Sequence, residues 1–232
     1  MQAEIFYLSI TAMSISCLHT ATGPDHYIPF IALSKARKWT VNKTIIITIL
    51  CGLGHVLGSV ILGFIGIILG WSLSVVGILT TIRGSFAGWL MFLAGLFYTL
   101  YAILKIKNNS SHRHFDIYGN EIYVYNHRDG EFVYPSEKKI LTPWILFSIF
   151  VLGPCEPLIP LLSFPAAKQS VANLIIVVSV FTLFTLITML SMVVLGFYGI
   201  SFFKAFKLEK YARVLAGIIV VICGIGMLFM NW

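Results

Sequence analysis

An apolar run near the start of the chain is broken by His19-Thr-Ala-Thr-Gly-Pro-Asp-His-Tyr-Ile-Pro29. The stretch sets two imidazoles and a carboxylate, His19, Asp25 and His26, among residues otherwise suited to lipid. An ionisable side chain inside a membrane segment is costly to keep and marks a functional site by default. Pro24 has no amide proton, and its ring clashes with the carbonyl four residues earlier, that of Thr20. The spacing predicts a broken helix, with free backbone carbonyls beside three side chains able to bind metal.

The flanking composition fixes the solvent. Of 232 residues, 58% are hydrophobic and 11% charged, where a soluble domain carries roughly 25% charged residues. The expectation is an all-α integral membrane protein with one membrane domain. A crossing helix needs about 20 apolar residues, and six stretches qualify: roughly 4–23, 44–70, 84–104, 143–163, 171–202 and 211–231. The net charge of +7 belongs to loops between these stretches, which assigns it to orientation and anionic lipid rather than to nucleic acid. Cys17, Cys51, Cys155 and Cys223 all lie in apolar segments without a Cys-x-x-Cys, so no disulfide framework is expected. No basic segment precedes the first apolar run, which argues against a cleavable signal peptide.

Lysine and arginine give the orientation. Fourteen fall in the loops after the first, third and fifth spans, and two, Arg83 and Lys168, fall on the opposite side. The positive-inside rule puts the first set in the cytoplasm of a bacterial inner membrane, with both termini outside.

An internal repeat shows in the layout. Gly23-Pro24-Asp25-His26 returns as Gly153-Pro154-Cys155-Glu156, 130 residues later. The same offset relates the second span to the fifth and the third to the sixth. Three spans per half require the halves to be inverted, and inverted repeats with broken helices place a transporter's site where the two breaks meet. The units are 1–104, a polar loop 105–140, and 141–232. In the loop, Gly119-Asn120 and Asp129-Gly130 stand between aromatic and β-branched runs, which predicts a small cytoplasmic β-hairpin or meander. Its histidines, His112, His114 and His127, can exchange metal with a cytoplasmic donor or acceptor, although solvated loop histidines are the commoner case.

The groups at depth are few. Asp25 and Glu156 are the only acids there, and they occupy matching places in the two halves. With His19, His26, His55 and the thiol of Cys155 they form the candidate metal set. Imidazole with a few oxygen or sulfur donors suits nickel, cobalt, zinc or copper rather than magnesium or calcium. Histidine titrates near neutral pH, so a proton-linked release is physically available. Each residue also has a plainer role: His55 lies among small residues that let helices pack, and Asp25 or Glu156 can cap the helix after its break. No His-Glu-x-x-His occurs and one aspartate lies at depth, so the expectation is a carrier of metal as cargo, with no prosthetic group, rather than an enzyme.

His19-Thr-Ala-Thr-Gly-Pro-Asp25-His26 resembles the His-x4-Asp-His signature of nickel/cobalt permeases, and Leu53-Gly54-His55 resembles their Leu-Gly-His motif. Leu152-Gly153-Pro154-Cys155-Glu156 is similar to a degenerate form of their Leu-Gly-Phe-Asp motif. The nearer likeness, over nearly the whole chain, is to the urease-accessory-type six-helix membrane proteins. Five residues separate His19 from Asp25 where the permease signature has four. The resemblance implies a nickel or cobalt transporter with Asp25, His26 and His55 first among its ligands. The layout also resembles inverted three-plus-three membrane proteins that pass electrons between thiols. Those carry a Pro-Cys in each half; this chain keeps Pro154-Cys155 but has Pro24-Asp25 in the other half, which leaves Cys17 as the second thiol of such a reading.

Overall fold

The computed structural model describes residues 2–107, 112–118, 121–127, 141–153, 155, 157–167, 171–202 and 211–230. Helix α1 (Gln2–Thr22) stops where Gly23 turns to an extended conformation (φ −88°, ψ 95°) ahead of Pro24. A residue before proline is driven out of the helical region, so the stop is written in the sequence. A single 3-10 turn (Pro24–His26) follows, then the short helix α2 (Ile28–Ala36). Helix α3 (Val41–Ile68) begins at Thr40, whose hydroxyl accepts from the Lys43 amide at 3.3 Å. Gly70, at φ 65°, turns the chain into α4 (Leu73–Lys107). Two strands, β1 (His112–Tyr118) and β2 (Glu121–His127), pair antiparallel with His112 opposite His127 and Tyr118 opposite Glu121. The turn dipeptides Gly119-Asn120 and Asp129-Gly130 lie outside the described residues. Helices α5 (Leu141–Leu152), α6 (Leu158–Ala167), α7 (Val171–Phe202) and α8 (Ala212–Phe229) complete the chain.

Two expectations are corrected. Among the described residues five helices, not six, are long and apolar enough to cross a membrane: Glu4–Thr22, Val41–Ile68, Leu73–Ile106, Val171–Gly199 and Ala212–Phe229. The stretch expected to cross at 143–163 is divided into α5 and α6, because the backbone leaves the helix at Gly153. The third span starts at Leu73 rather than at 84, which draws Arg83 out of its expected loop and into α4. The 130-residue offset is visible in the element starts: Ile28 and Leu158 open α2 and α6, and Val41 and Val171 open α3 and α7.

The packing follows the same exchange. Helix α1 lies against α7, and its counterpart α5 lies against α3, while α4 and α8 form the largest helix pair. Small residues permit the closest approaches. A Cβ on Gly58 would stand 2.5 Å from the Val151 carbonyl oxygen, so α3 and α5 touch backbone to backbone one turn beyond His55. Between α4 and α8 a Cβ on Gly95 would stand 2.6 Å from the Val221 nitrogen, and one on Gly224 2.5 Å from the Phe92 nitrogen. Lipid is as apolar as leucine, so such contact, not hydrophobic exclusion, holds membrane helices together. Two apolar clusters result. One gathers around Phe30, Met91, Phe150 and Met189, the other around Val56, Cys155, Leu158 and Phe181. On α3, His55 stands between Cys51 of the first and Val56 of the second.

Gly95→Ala and Gly224→Ala should each lower stability by about 1–3 kcal/mol, the usual cost of overpacking. Gly77→Ala, where an added Cβ meets nothing within 4 Å, should be neutral or slightly stabilising. Thermal unfolding in detergent checks the contrast, and equal behaviour of the three variants would refute the close α4–α8 seam.

Candidate metal centre

The break in the first helix aims three imidazoles at one point. His19 comes from the last turn of α1, His26 from the 3-10 turn, and His55 from the middle of α3. The His19 and His26 rings meet edge to face at 4.9 Å between centroids, and those of His26 and His55 at 5.1 Å. One ring nitrogen from each of the three lies within 4.8 Å of the others. His26 and His55 are 2% and 4% exposed, and His19 is half-buried.

The outer nitrogens are held. Nδ1 of His26 lies 3.1 Å from Asp25 Oδ1 and 3.2 Å from the Gly23 carbonyl oxygen. Nδ1 of His55 lies 3.3 Å from the Phe150 carbonyl oxygen, at the end of α5. Each of these partners is an acceptor and takes a proton from Nδ1, so in the neutral ring each Nε2 is the nitrogen left with a lone pair. The Nε2 atoms of His19, His26 and His55 are all buried without a hydrogen-bond partner. A carboxylate or carbonyl behind an imidazole, with the far nitrogen bare, is the arrangement by which proteins orient histidine ligands toward a metal. Nitrogens about 2.1 Å from one tetrahedral ion lie roughly 3.4 Å apart. Closing a 4.8 Å triangle to that size needs ring movements of about an ångström, within rotamer freedom.

The sequence-level candidates divide accordingly. His19, His26 and His55 converge. Asp25, 7% exposed, binds His26 from behind instead of joining the nitrogen triangle. Cys155 is buried beside the second break, its amide donating to Ser59 Oγ at 2.9 Å, and it is not part of the histidine cluster. Glu156 and Pro154 lie outside the described residues. The expectation of free carbonyls at the first break is corrected in part: the Gly23 oxygen accepts from the His26 amide at 3.1 Å, and the His19 oxygen from the Gly23 amide at 3.0 Å. A small cavity of about 10 Å³ adjoins Asp25, His26 and His55 and is bordered by Met91 and Met227.

Sequence reasoning missed Arg83. Its guanidinium reaches from α4 to α3 and to the second break: Nη1 donates to the Gly58 oxygen at 2.6 Å, and Nη2 to Ser59 Oγ at 2.6 Å and to the Gly153 oxygen at 2.9 Å. Ser59 Oγ thus accepts from both Arg83 and the Cys155 amide. The signal was present: Leu73–Thr81 is a continuous apolar and small-residue run, and the left-handed glycine that turns the chain into it is Gly70. An arginine at membrane depth paired with backbone carbonyls is the expected way to keep such a charge.

Arg83→Leu leaves the Ser59 hydroxyl and the Gly153 carbonyl without their charged donor. It should cost roughly 2–4 kcal/mol of stability, measured as a lowered unfolding midpoint in detergent. A midpoint unchanged from wild type would show that the bonds do not hold α4 to the second break.

The described helices make this a multi-pass membrane protein. No curated protein and no solved structure matches the chain. One family does match, described as "Cytochrome C biogenesis protein transmembrane region", over residues 6–226. That match agrees with the resemblance in layout to thiol-handling membrane proteins and does not extend to the nickel/cobalt permeases. Because the match takes in both halves, both breaks and all three histidines, the chain belongs to the family of cytochrome c biogenesis transmembrane regions.

Proposed function

We propose that this protein carries a transition-metal ion across the membrane, nickel or cobalt in first place, through the centre made by His19, His26 and His55. The observation that carries the reading is the convergence of three histidines whose ring nitrogens lie within 4.8 Å of one another and whose Nε2 atoms are all buried and unpartnered. Neutral imidazole suits borderline ions such as nickel, cobalt, zinc and copper. Asp25 supplies negative charge next to the ion while holding His26 in its binding tautomer. Release follows protonation of the histidines, since a ligand nitrogen that takes a proton can no longer bind metal. In this reading α5 and α6 together act as one broken crossing, which restores three crossings per half and an inverted pair. With Arg83 inside α4, fourteen basic residues stand against Lys168 alone, which favours a cytoplasmic side carrying β1 and β2.

Family membership favours a second reading, a thiol–disulfide electron carrier built on Cys155 and Cys17. Its structural support is Cys155 at the second break, close under the Ser59–Arg83 pair. It leaves the three converging imidazoles without a role. The first reading therefore takes precedence.

In purified protein, wild type should hold about one nickel or cobalt ion per chain, and His26→Ala and His55→Ala should each lose it. Asp25→Asn should weaken binding by about 10- to 100-fold, the range for removing a carboxylate behind a ligand histidine. Equilibrium dialysis with metal analysis reads the binding, and uptake into vesicles reads transport. Cys155→Ser separates the two readings: metal flux persists in the first, and thiol exchange disappears in the second. Wild-type flux of nickel, cobalt, zinc and copper in both histidine variants would reject the metal reading.

A further inference from the structure

Away from the histidines, the ends of three helices enclose a second cavity of about 320 Å³, open to the surface. Its walls carry Arg37 and Lys38 from the end of α2, Lys105 from the last turn of α4 and Arg213 from the first turn of α8. Tyr98 and Tyr101 also line it. Among the described residues no carboxylate lines it. The volume is at the lower bound of ordinary ligand pockets, about 300 Å³.

The aromatic rings hold the cations in place. The Arg37 guanidinium lies 5.2 Å from the centre of the Tyr98 ring, and Lys105 Nζ 6.0 Å from that of Tyr101. Lys38 follows with a left-handed backbone (φ 53°), a conformation uncommon outside glycine that turns the chain sharply after Arg37. Arg213 sits at the amino end of its helix, where the macrodipole favours negative charge over positive. Tyr98 Oη is buried without a hydrogen-bond partner. Three like charges from three helices, Arg37, Lys105 and Arg213, and an unused phenol donor have a common complement: an anion with several acceptor oxygens.

We propose that this cavity binds a phosphate group, with Arg37, Lys105 and Arg213 neutralising it and Tyr98 donating a hydrogen bond. The phosphate group belongs either to an anionic lipid head or to a soluble phosphate. The exposed face of α4 below the cavity, Phe97, Leu100 and Leu104, offers an apolar track for an acyl chain if the source is lipid. The proposal is independent of the metal reading, since it shares no residue with the histidine centre.

The test uses the full chain in detergent, with native mass spectrometry after addition of phosphatidylglycerol or phosphatidylcholine, and a parallel thermal-shift titration with inorganic phosphate. Preferential retention of phosphatidylglycerol, or a saturable stabilisation by inorganic phosphate, supports the site and names its source. The Arg37→Gln/Arg213→Gln double variant should weaken binding by about thirtyfold, from the typical contribution of two basic residues. Tyr98→Phe should weaken it several-fold and keeps the test open if the double variant unfolds. Lys43→Gln, on the same side but outside the cavity, should leave it unchanged. Equal retention of both lipids with no response to phosphate overturns the proposal. So does an equal loss in Lys43→Gln, which would reduce the effect to general surface charge.

Discussion

Everything in this molecule depends on a backbone that stops being helical inside the membrane. At Gly23-Pro24 the chain gives up the helix, and the next three residues turn so that His26 faces back toward His19. A continuous helix would carry His19 and His26 down one face, a full two turns apart. The break brings the rings to 4.9 Å. It is affordable because the turn bonds itself: Gly23 O takes both the amide and the ring of its own His26. The second break does the complementary task. By ending α5 it offers the Phe150 carbonyl to His55 and the Gly153 carbonyl to Arg83.

The two halves have the same layout and different chemistry. In the first, the residues after Gly-Pro are Asp25 and His26, which enter the imidazole cluster. In the second, Cys155 takes the place of Asp25, and its surroundings are a serine and an arginine rather than histidines. Family membership fixes the architecture over residues 6–226, but chemistry resides in sites grafted on an architecture. A fold that brings two broken helices together can hold a thiol at one break and a metal ligand at the other. The side chains at Asp25 and His26 are what separate this chain's first half from a Pro-Cys layout.

Much of this was legible from spacing alone. The break at Pro24 and the 130-residue offset depend on residue type and position, and both reappear in the element boundaries, as do most of the apolar runs. His55 was nameable because imidazoles are rare at depth. What could not be read was direction. Asp25 and His26 are adjacent in sequence, yet one ring points at the cluster and the carboxylate lies behind it. That depends on the turn's dihedrals, which no period reveals. Arg83 was misplaced for a related reason. Charge counting treats a lone arginine as a loop residue, while α3 supplies a hydroxyl and a carbonyl that make its burial tolerable. The expected span at 143–163 failed because apolar composition is equally compatible with one long helix or two short ones.

The remaining question is whether the three histidines need a ligand or merely pack. A buried polar atom without a partner costs about 1–3 kcal/mol, so three bare Nε2 atoms in one cluster cost roughly 3–9 kcal/mol. Whole domains have a net stability of about 5–15 kcal/mol. A packing role would be served better by leucine or phenylalanine, which carry no such penalty. Nor do the rings satisfy one another: none of the three Nε2 atoms has a hydrogen-bond partner, and with the Nδ1 atoms of His26 and His55 facing acceptors, the Nε2 atoms of these two rings are left as acceptors. Only a positive centre reverses that sign. In the proposed reading a metal ion would do so for all three nitrogens at once, whereas a proton can be shared by two at most, and the threefold convergence is the geometric argument for that reading.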